Sequence, residues 1–93
     1  MKHYLVCYDI SDNKNRLKLS KLLRFYGVRV QKSVFEIGIR NNNQLEQLKN
    51  RAKNYLEEFD SLLFYRLNHA SRQSSHDCNN QRIAYFPSII QIH

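Results

Sequence analysis

Apolar and polar positions along the 93-residue chain fall into blocks of distinct period, and each period predicts an element. The first block, His3-Tyr4-Leu5-Val6-Cys7-Tyr8, runs without alternation into Asp9-Ile10-Ser11-Asp12. An apolar run closed by polar turn residues predicts a fully buried central strand whose end delivers Asp9 to a site. Ser11, Asp12 and Asn13 then offer helix N-cap chemistry, and Leu19, Leu22, Leu23 and Tyr26 recur at i, i+3, i+4 and i+7, one face of a helix. Gly27 is expected to close that helix in the usual C-terminal position. Val28 to Gln31 and Val34 to Ile39 alternate about Lys32-Ser33, which predicts two short antiparallel strands in preference to one bulged strand.

The second half repeats this order. Arg40 to Asn43 is a polar turn, after which Leu45, Leu48, Ala52, Tyr55, Leu56 and Phe59 predict a second helix of roughly sixteen residues. Asp60-Ser61 break it, and Leu62 to Leu67 read as a mostly apolar strand beside the central one. Strand, helix, strand, strand, helix, strand is the order of an α+β, ferredoxin-like βαββαβ sandwich, with an antiparallel sheet covered on one face by two helices. That core spans 1–67. Residues 68–82 form a polar loop, and 83–93, strongly apolar from Ile83 to Ile92, are expected to carry an extra C-terminal strand to an exposed sheet edge, its own or a partner's. Pro87 permits such a strand only at an edge or a bend. All three segments belong to a single domain.

Charge sharpens the picture. Fifteen Lys and Arg against eight Asp and Glu give a formal charge of +7, a field that favours nucleic acid or an acidic partner. From Asn13 to Phe35 there are seven cations, Lys14, Arg16, Lys18, Lys21, Arg24, Arg29 and Lys32, and no acid. Lys14, Lys18 and Lys21 are spaced by four and three, so they form a stripe on the first helix. Two cysteines, Cys7 and Cys78, lack the pattern of a disulfide framework, and a reducing cytoplasm is the expected home. No leader or membrane-spanning run is recognised. At this length association with a second copy is expected.

Asp9 has the strongest claim to chemistry. A carboxylate at the end of a rigid strand is a hard oxygen ligand, and magnesium is commonly held by one or two carboxylates together with water and phosphate. A two-fold dimer with facing strand ends would bring a second Asp9 to a divalent metal shared between two protomers. The alternative is that Asp9 or Asp12 only caps the first helix. Arg16, Arg29 and Lys18 are candidate phosphate ligands. Tyr8 and Phe35 can stack on a base or pack in the sheet, with packing favoured, and Ser33 can bond a phosphate or shape the turn. His69, His76, Asp77 and Cys78 cluster in the polar loop but match no zinc spacing. The chain has two glycines and no phosphate-cradling loop.

Tyr8-Asp9-Ile10-Ser11-Asp12, then Arg16-Leu17 with Leu22-Leu23 and Tyr26-Gly27, and Arg29-Val30-Gln31-Lys32-Ser33-Val34-Phe35-Glu36, resemble the CRISPR-associated Cas-two (Cas2) family. About the first forty residues match closely; the rest matches by element order. The resemblance implies a ferredoxin-like homodimer that joins the Cas-one (Cas1) integrase in binding double-stranded DNA fragments for integration as new spacers, an antiviral defence. Some members are described as magnesium-dependent endonucleases on RNA or DNA. Carried over by position, Asp9 matches the family's metal-binding aspartate, and Tyr8, Arg16, Arg29 and Phe35 match positions of the nuclease site. Lys18 stands where some members have arginine.

Three readings follow. The chain is a binding and architectural subunit whose basic surface holds DNA while the integrase cuts and joins. Or it is a hydrolase, with magnesium between two Asp9 residues activating water. Or it is a toxin-like ribonuclease of similar build. One acid per chain and no obvious general base favour the first.

Overall fold

The computed structural model describes residues 1–83. The elements are β1 (Lys2–Asp9), α1 (Asn13–Arg24), β2 (Gly27–Gln31), β3 (Val34–Ile39), α2 (Asn42–Lys53), β4 (Ser61–Leu67) and α3 (His69–Ser74). The four strands form one sheet in the order β2-β3-β1-β4, and every pairing is antiparallel. This is the expected βαββαβ ferredoxin-like arrangement. The expected strand within 83–93 lies outside the described residues apart from Ile83.

β1 is interior, bonded to β3 on one side and β4 on the other, and its register carries the core. Val6 sits opposite Phe35 and Phe64, and Tyr4 opposite Ile37 and Arg66. Because side chains alternate across a strand, these positions share one face with Tyr8 and Ile39. That face packs on Leu19, Leu22 and Leu23 of α1 and Leu45, Leu48 and Ala52 of α2. The other face is covered only in part, which corrects the expectation of a fully buried strand: His3 is buried there beside Glu36, while Leu5 and Cys7 stay half-buried. The absence of alternation reflects an apolar second face, shared with Val34, Leu63 and Tyr65. β4 lies at an edge among the described residues, and Leu63 and Tyr65 are about half exposed (49% and 53%).

Local chemistry explains the element ends. The Asp12 carboxylate accepts the Asn15 N–H at 2.9 Å and caps α1, so the helix cap is Asp12 and not Asp9. Asn41 caps α2 in the same way through Gln44 N–H, also at 2.9 Å. Gly27 does not close α1, contrary to expectation. The helix ends at Phe25 in ordinary right-handed geometry, and Gly27 opens β2 opposite Ile37. It is glycine for space: a Cβ there would run into the Glu36 carbonyl oxygen. α2 stops at Lys53, six residues before Phe59, the last residue of the expected helical face, and Phe59 is almost fully exposed. β2 also carries a register shift between Arg29 and Gln31.

Residues 68–82 are not all loop. Asn68 and Ser71 form a reciprocal capping box, Ser71 N–H to Asn68 Oδ1 at 2.8 Å and Asn68 N–H to Ser71 Oγ at 2.9 Å, which starts α3. The helix has no apolar stripe, so periodicity does not reveal it. What holds it to the sheet is Arg72, buried against the second face, whose Nε and Nη2 both reach Glu36 Oε2 at 2.7 Å. His3 Nδ1 lies 3.8 Å from the same oxygen. Burial pushes the Glu36 carboxyl above its ordinary 4.5, while the Arg72 hydrogen bond and the charges of Arg72 and Arg82 pull it back only in part.

A carboxyl whose folded value is raised holds its proton more tightly in the folded chain. Its contribution to stability is therefore largest below 4.5 and is lost as pH rises through the folded value. Urea titrations from about pH 4 to about pH 7 should show wild type losing stability relative to Glu36→Gln as pH rises. Arg72→Met, which strands the buried carboxylate, should steepen that loss and cost about 3–5 kcal/mol near neutrality. Parallel pH curves for wild type and Glu36→Gln would contradict the assignment.

Candidate nucleic-acid interface and metal-ligating strand end

The seven expected cations separate by what holds them. Lys14, Lys18, Lys21 and Arg24 are exposed along α1, each three or four residues from the next, opposite the buried Leu19, Leu22 and Leu23. They form one continuous cationic ridge on the solvent side of the helix layer. Lys32 is exposed on the β2–β3 turn.

Arg16 faces elsewhere. Its Nη1 donates to the carbonyls of Ile10 at 2.9 Å and Ser11 at 3.4 Å, and its Nη2 donates to Asn13 Oδ1 at 2.9 Å. Those bonds tie the loop between β1 and α1 to the first turn of the helix. The guanidinium is thus a brace for the segment that follows Asp9, with three of its five N–H donors already engaged within the chain.

Tyr8, Phe35 and Arg29 are brought together. Phe35 is fully buried and Tyr8 nearly so, with ring centroids 6.3 Å apart, and the Tyr8 hydroxyl donates to the Lys32 carbonyl at 3.3 Å. The Arg29 guanidinium carbon lies 5.3 Å from the Phe35 centroid, a cation–π contact on the edge strand. Both rings pack in the core, and the exposed guanidinium is the part of this stack that can reach a ligand.

Asp9 stands apart from that stack. It pairs with Ser61 at the end of β1, is exposed, and by strand alternation belongs to the sheet face opposite Tyr8. Among the described residues no hydrogen bond or ion pair engages its carboxylate. The loop beside it is pinned by Asp60, whose Oδ1 accepts Ser11 N–H at 3.0 Å and whose Oδ2 accepts Glu57 N–H at 2.9 Å. Those bonds, the Glu57 amide first and the Ser11 amide next, hold the Asp60 carboxyl below its ordinary value. Reading the sequence assigned Asp60 only to a helix break; its clamp shows up only once residues 11 and 60 are neighbours in space.

The fit to a divalent ion is that of a half-site. Asp9 offers a hard, uncommitted oxygen donor on a rigid strand end, and among the described residues no group of three His, Cys, Asp or Glu side chains surrounds a common point. Asp77 instead serves a turn, its Oδ1 accepting the N–H groups of Asn79 at 2.8 Å and Gln81 at 3.0 Å. Among the described residues no helix is long and apolar enough to cross a membrane.

The ridge and the brace predict different outcomes. Replacing Lys18, Lys21 and Arg24 together by Ala should weaken duplex DNA binding about equally for all sequences and reduce the slope of log K against log salt by roughly 3, one per phosphate contact. Arg16→Ala should instead lower thermal stability, by about 1–2 kcal/mol for lost bonds that brace the loop. Salt titrations and melting curves on the two variants distinguish them; an unchanged slope in the triple variant would place the DNA elsewhere.

Comparison with known proteins agrees with this architecture. Residues 1–74 match the model of the family described as CRISPR associated protein Cas2. A protein of Synechocystis sp. named CRISPR-associated endoribonuclease Cas2 3 is 45% identical over 64 residues, covering 69% of this chain and 70% of its own. Among solved structures, a chain of a partial Cas6-RT-Cas1–Cas2 complex superposes with a TM-score of 0.81 at 41% identity, over 92% of this chain and 100% of that one. Cas2 of Streptococcus pyogenes superposes with a TM-score of 0.73 at 30% identity, over 81% of this chain and 96% of that one. The βαββαβ sheet, the matched first 74 residues and these relatives together show that the chain belongs to the CRISPR-associated Cas2 family.

Proposed function

We propose that this protein is a CRISPR adaptation subunit that acts as a homodimer, docks with the Cas1 integrase, and holds duplex DNA on its cationic surface during spacer integration. The single observation that carries the reading is the α1 ridge, four exposed cations with no acid between them, on a chain similar to one solved in a Cas1–Cas2 assembly. Phosphate contacts of this kind position a duplex without reading bases, which suits a subunit that must accept fragments of any sequence. The apolar second sheet face, with Leu63 and Tyr65 about half exposed, supports association with a second copy.

A second reading, metal-dependent endonuclease action on RNA or DNA, is favoured by one observation, the uncommitted Asp9 carboxylate at the end of a rigid strand. Asp9 of each of two copies would hold one magnesium ion. The metal would supply Lewis acidity toward the phosphoryl oxygens. The chain's own contribution is to orient the strand end: Arg16 and Asp60 fix the loop after Asp9 through the Ile10 carbonyl and the Ser11 amide, and Arg29 presents positive charge from the opposite face. The name borne by the Synechocystis relative supports this reading as well.

Asp9→Asn separates the two. The substitution keeps the side chain's size and removes the charge a hard cation needs, at an exposed position where stability should move by less than about 0.5 kcal/mol. Magnesium-dependent hydrolysis should fall by orders of magnitude while spacer acquisition persists, both measured in the same variant with dimerisation followed by light scattering. If acquisition collapses together with hydrolysis in an intact dimer, the architectural reading is wrong and Asp9 acts chemically in the pathway.

A further inference from the structure

Phe59 is the most exposed large apolar side chain among the described residues, at 92% of its accessible surface. Its position gives that exposure meaning. It lies in the connection between α2 and β4, two residues before Ser61, and Ser61 is the cross-strand partner of Asp9. Two Cα steps and one strand spacing place the Phe59 backbone within about 12 Å of the Asp9 backbone. A strand of nucleic acid covers that distance in a few nucleotides, at roughly 3.4 Å each.

The connection is also anchored. Asp60, the next residue, bridges the two segments with its carboxylate, accepting Ser11 N–H at 3.0 Å from the loop after Asp9 and Glu57 N–H at 2.9 Å from its own turn, while its backbone N–H donates to the Glu57 carbonyl at 3.0 Å. An aromatic ring held out to solvent by a fixed backbone, with the cost of ordering that backbone already met by the fold, is what a stacking platform requires. Full burial of a Phe would stabilise the fold by about 1.5–3 kcal/mol, so its apolar surface contributes little to stability where it stands.

The neighbouring charges narrow the ligand. Glu57 and Glu58, immediately before Phe59, are exposed, and they repel the phosphate rail of a duplex laid along this turn. An unpaired strand carries about half the phosphate charge of a duplex per step, and it can turn its phosphates away while it swings a neutral base onto the ring.

We propose that Phe59 is a base-stacking contact for single-stranded RNA, gripping one unpaired base a few nucleotides from the phosphate at Asp9. The proposal deepens the endonuclease reading and rests on it for the placement of the strand. It assigns selection of single strands to a residue outside the Asp9, Arg29 and α1 cation set, and leaves duplex binding to the α1 ridge.

Binding is the readout, so that cleavage does not enter. In magnesium-free buffer with a chelator, a fluorescein-labelled RNA 12-mer is titrated with wild type and with Phe59→Ala, alongside a duplex of equal length. Single-strand affinity should fall at least about 5-fold, the change corresponding to about 1 kcal/mol of base stacking, while duplex affinity stays unchanged. The chain contains no tryptophan, so Phe59→Trp introduces a lone indole whose emission should be quenched by the single strand and not by the duplex. Wild-type affinity in Phe59→Ala together with unquenched Phe59→Trp emission at saturation would overturn the proposal and leave the endonuclease reading standing. Equal weakening of both probes, or a shift of Phe59→Ala from dimer to monomer in light scattering, would also overturn it, the first making the residue a general contact and the second a protein contact. If wild type binds neither probe, the nucleic-acid reading of the whole site falls and this one with it.

Discussion

The pairing of β1 on both of its edges is the constraint on which the rest of the molecule depends. Lys2 to Cys7 ladder with β3 while His3 to Asp9 ladder with β4, so one eight-residue strand sets the register of the whole four-stranded sheet. A slip by one residue would turn Val6 and Tyr8 away from α1 and α2 and present Leu5 and Cys7 in their place. It would also move Asp9 to the helix-covered face. The same pairing that builds the core therefore decides that the candidate metal ligand emerges at the strand end on the open face.

Two polar devices complete this frame, and each is placed where the apolar core cannot reach. On the sheet face away from α1 and α2, Arg72 and Glu36 form a buried ion pair that ties α3, a helix too polar to dock by hydrophobic burial, to the middle of the sheet. Such a pair is a weak source of net stability, since both charges are taken out of water, but it is specific: only one placement of α3 satisfies both groups. At the Asp9 end, Arg16 and Asp60 brace the loop between β1 and α1 from two sides, through carbonyls and an amide respectively. The core supplies cohesion, and these bonds supply position.

The functional surfaces are divided accordingly. The cations of α1 lie outside the helix layer and suit a duplex backbone; Asp9 and the half-exposed Leu63 and Tyr65 belong to the opposite face, where a second copy can bring a second carboxylate. Arg29 is exposed on the edge strand, steadied by the Phe35 ring beneath it. A chain of this length thus carries a charged side for phosphate and an apolar side for association, with the candidate chemistry at the rim between them.

The sequence by itself determined the order and type of the first six elements, because their periods are strong: two amphipathic helices and an alternating hairpin each have one way to bury their apolar residues. A short apolar run closed by turn residues is a strand, although how far its second face is covered was left to the fold. It also determined Asp9 as the strand-end acid and the α1 ridge as a stripe, since both follow from position along a strand or helix. Tertiary structure decided what depends on neighbours distant in the chain. Gly27 reads as a helix stop but is a close approach to Glu36, 9 residues later; Phe59 fits a helical period but falls beyond the point where α2 ends. Glu36 with Arg72 and Ser11 with Asp60 are 36 and 49 residues apart, and no local pattern encodes such a pairing. Arg16 looks like any other cation of the belt until the fold brings the Ile10 and Ser11 carbonyls to it. Local periodicity reports how a segment hides its apolar side, whereas a polar side chain's partner is set by which segments the sheet brings together.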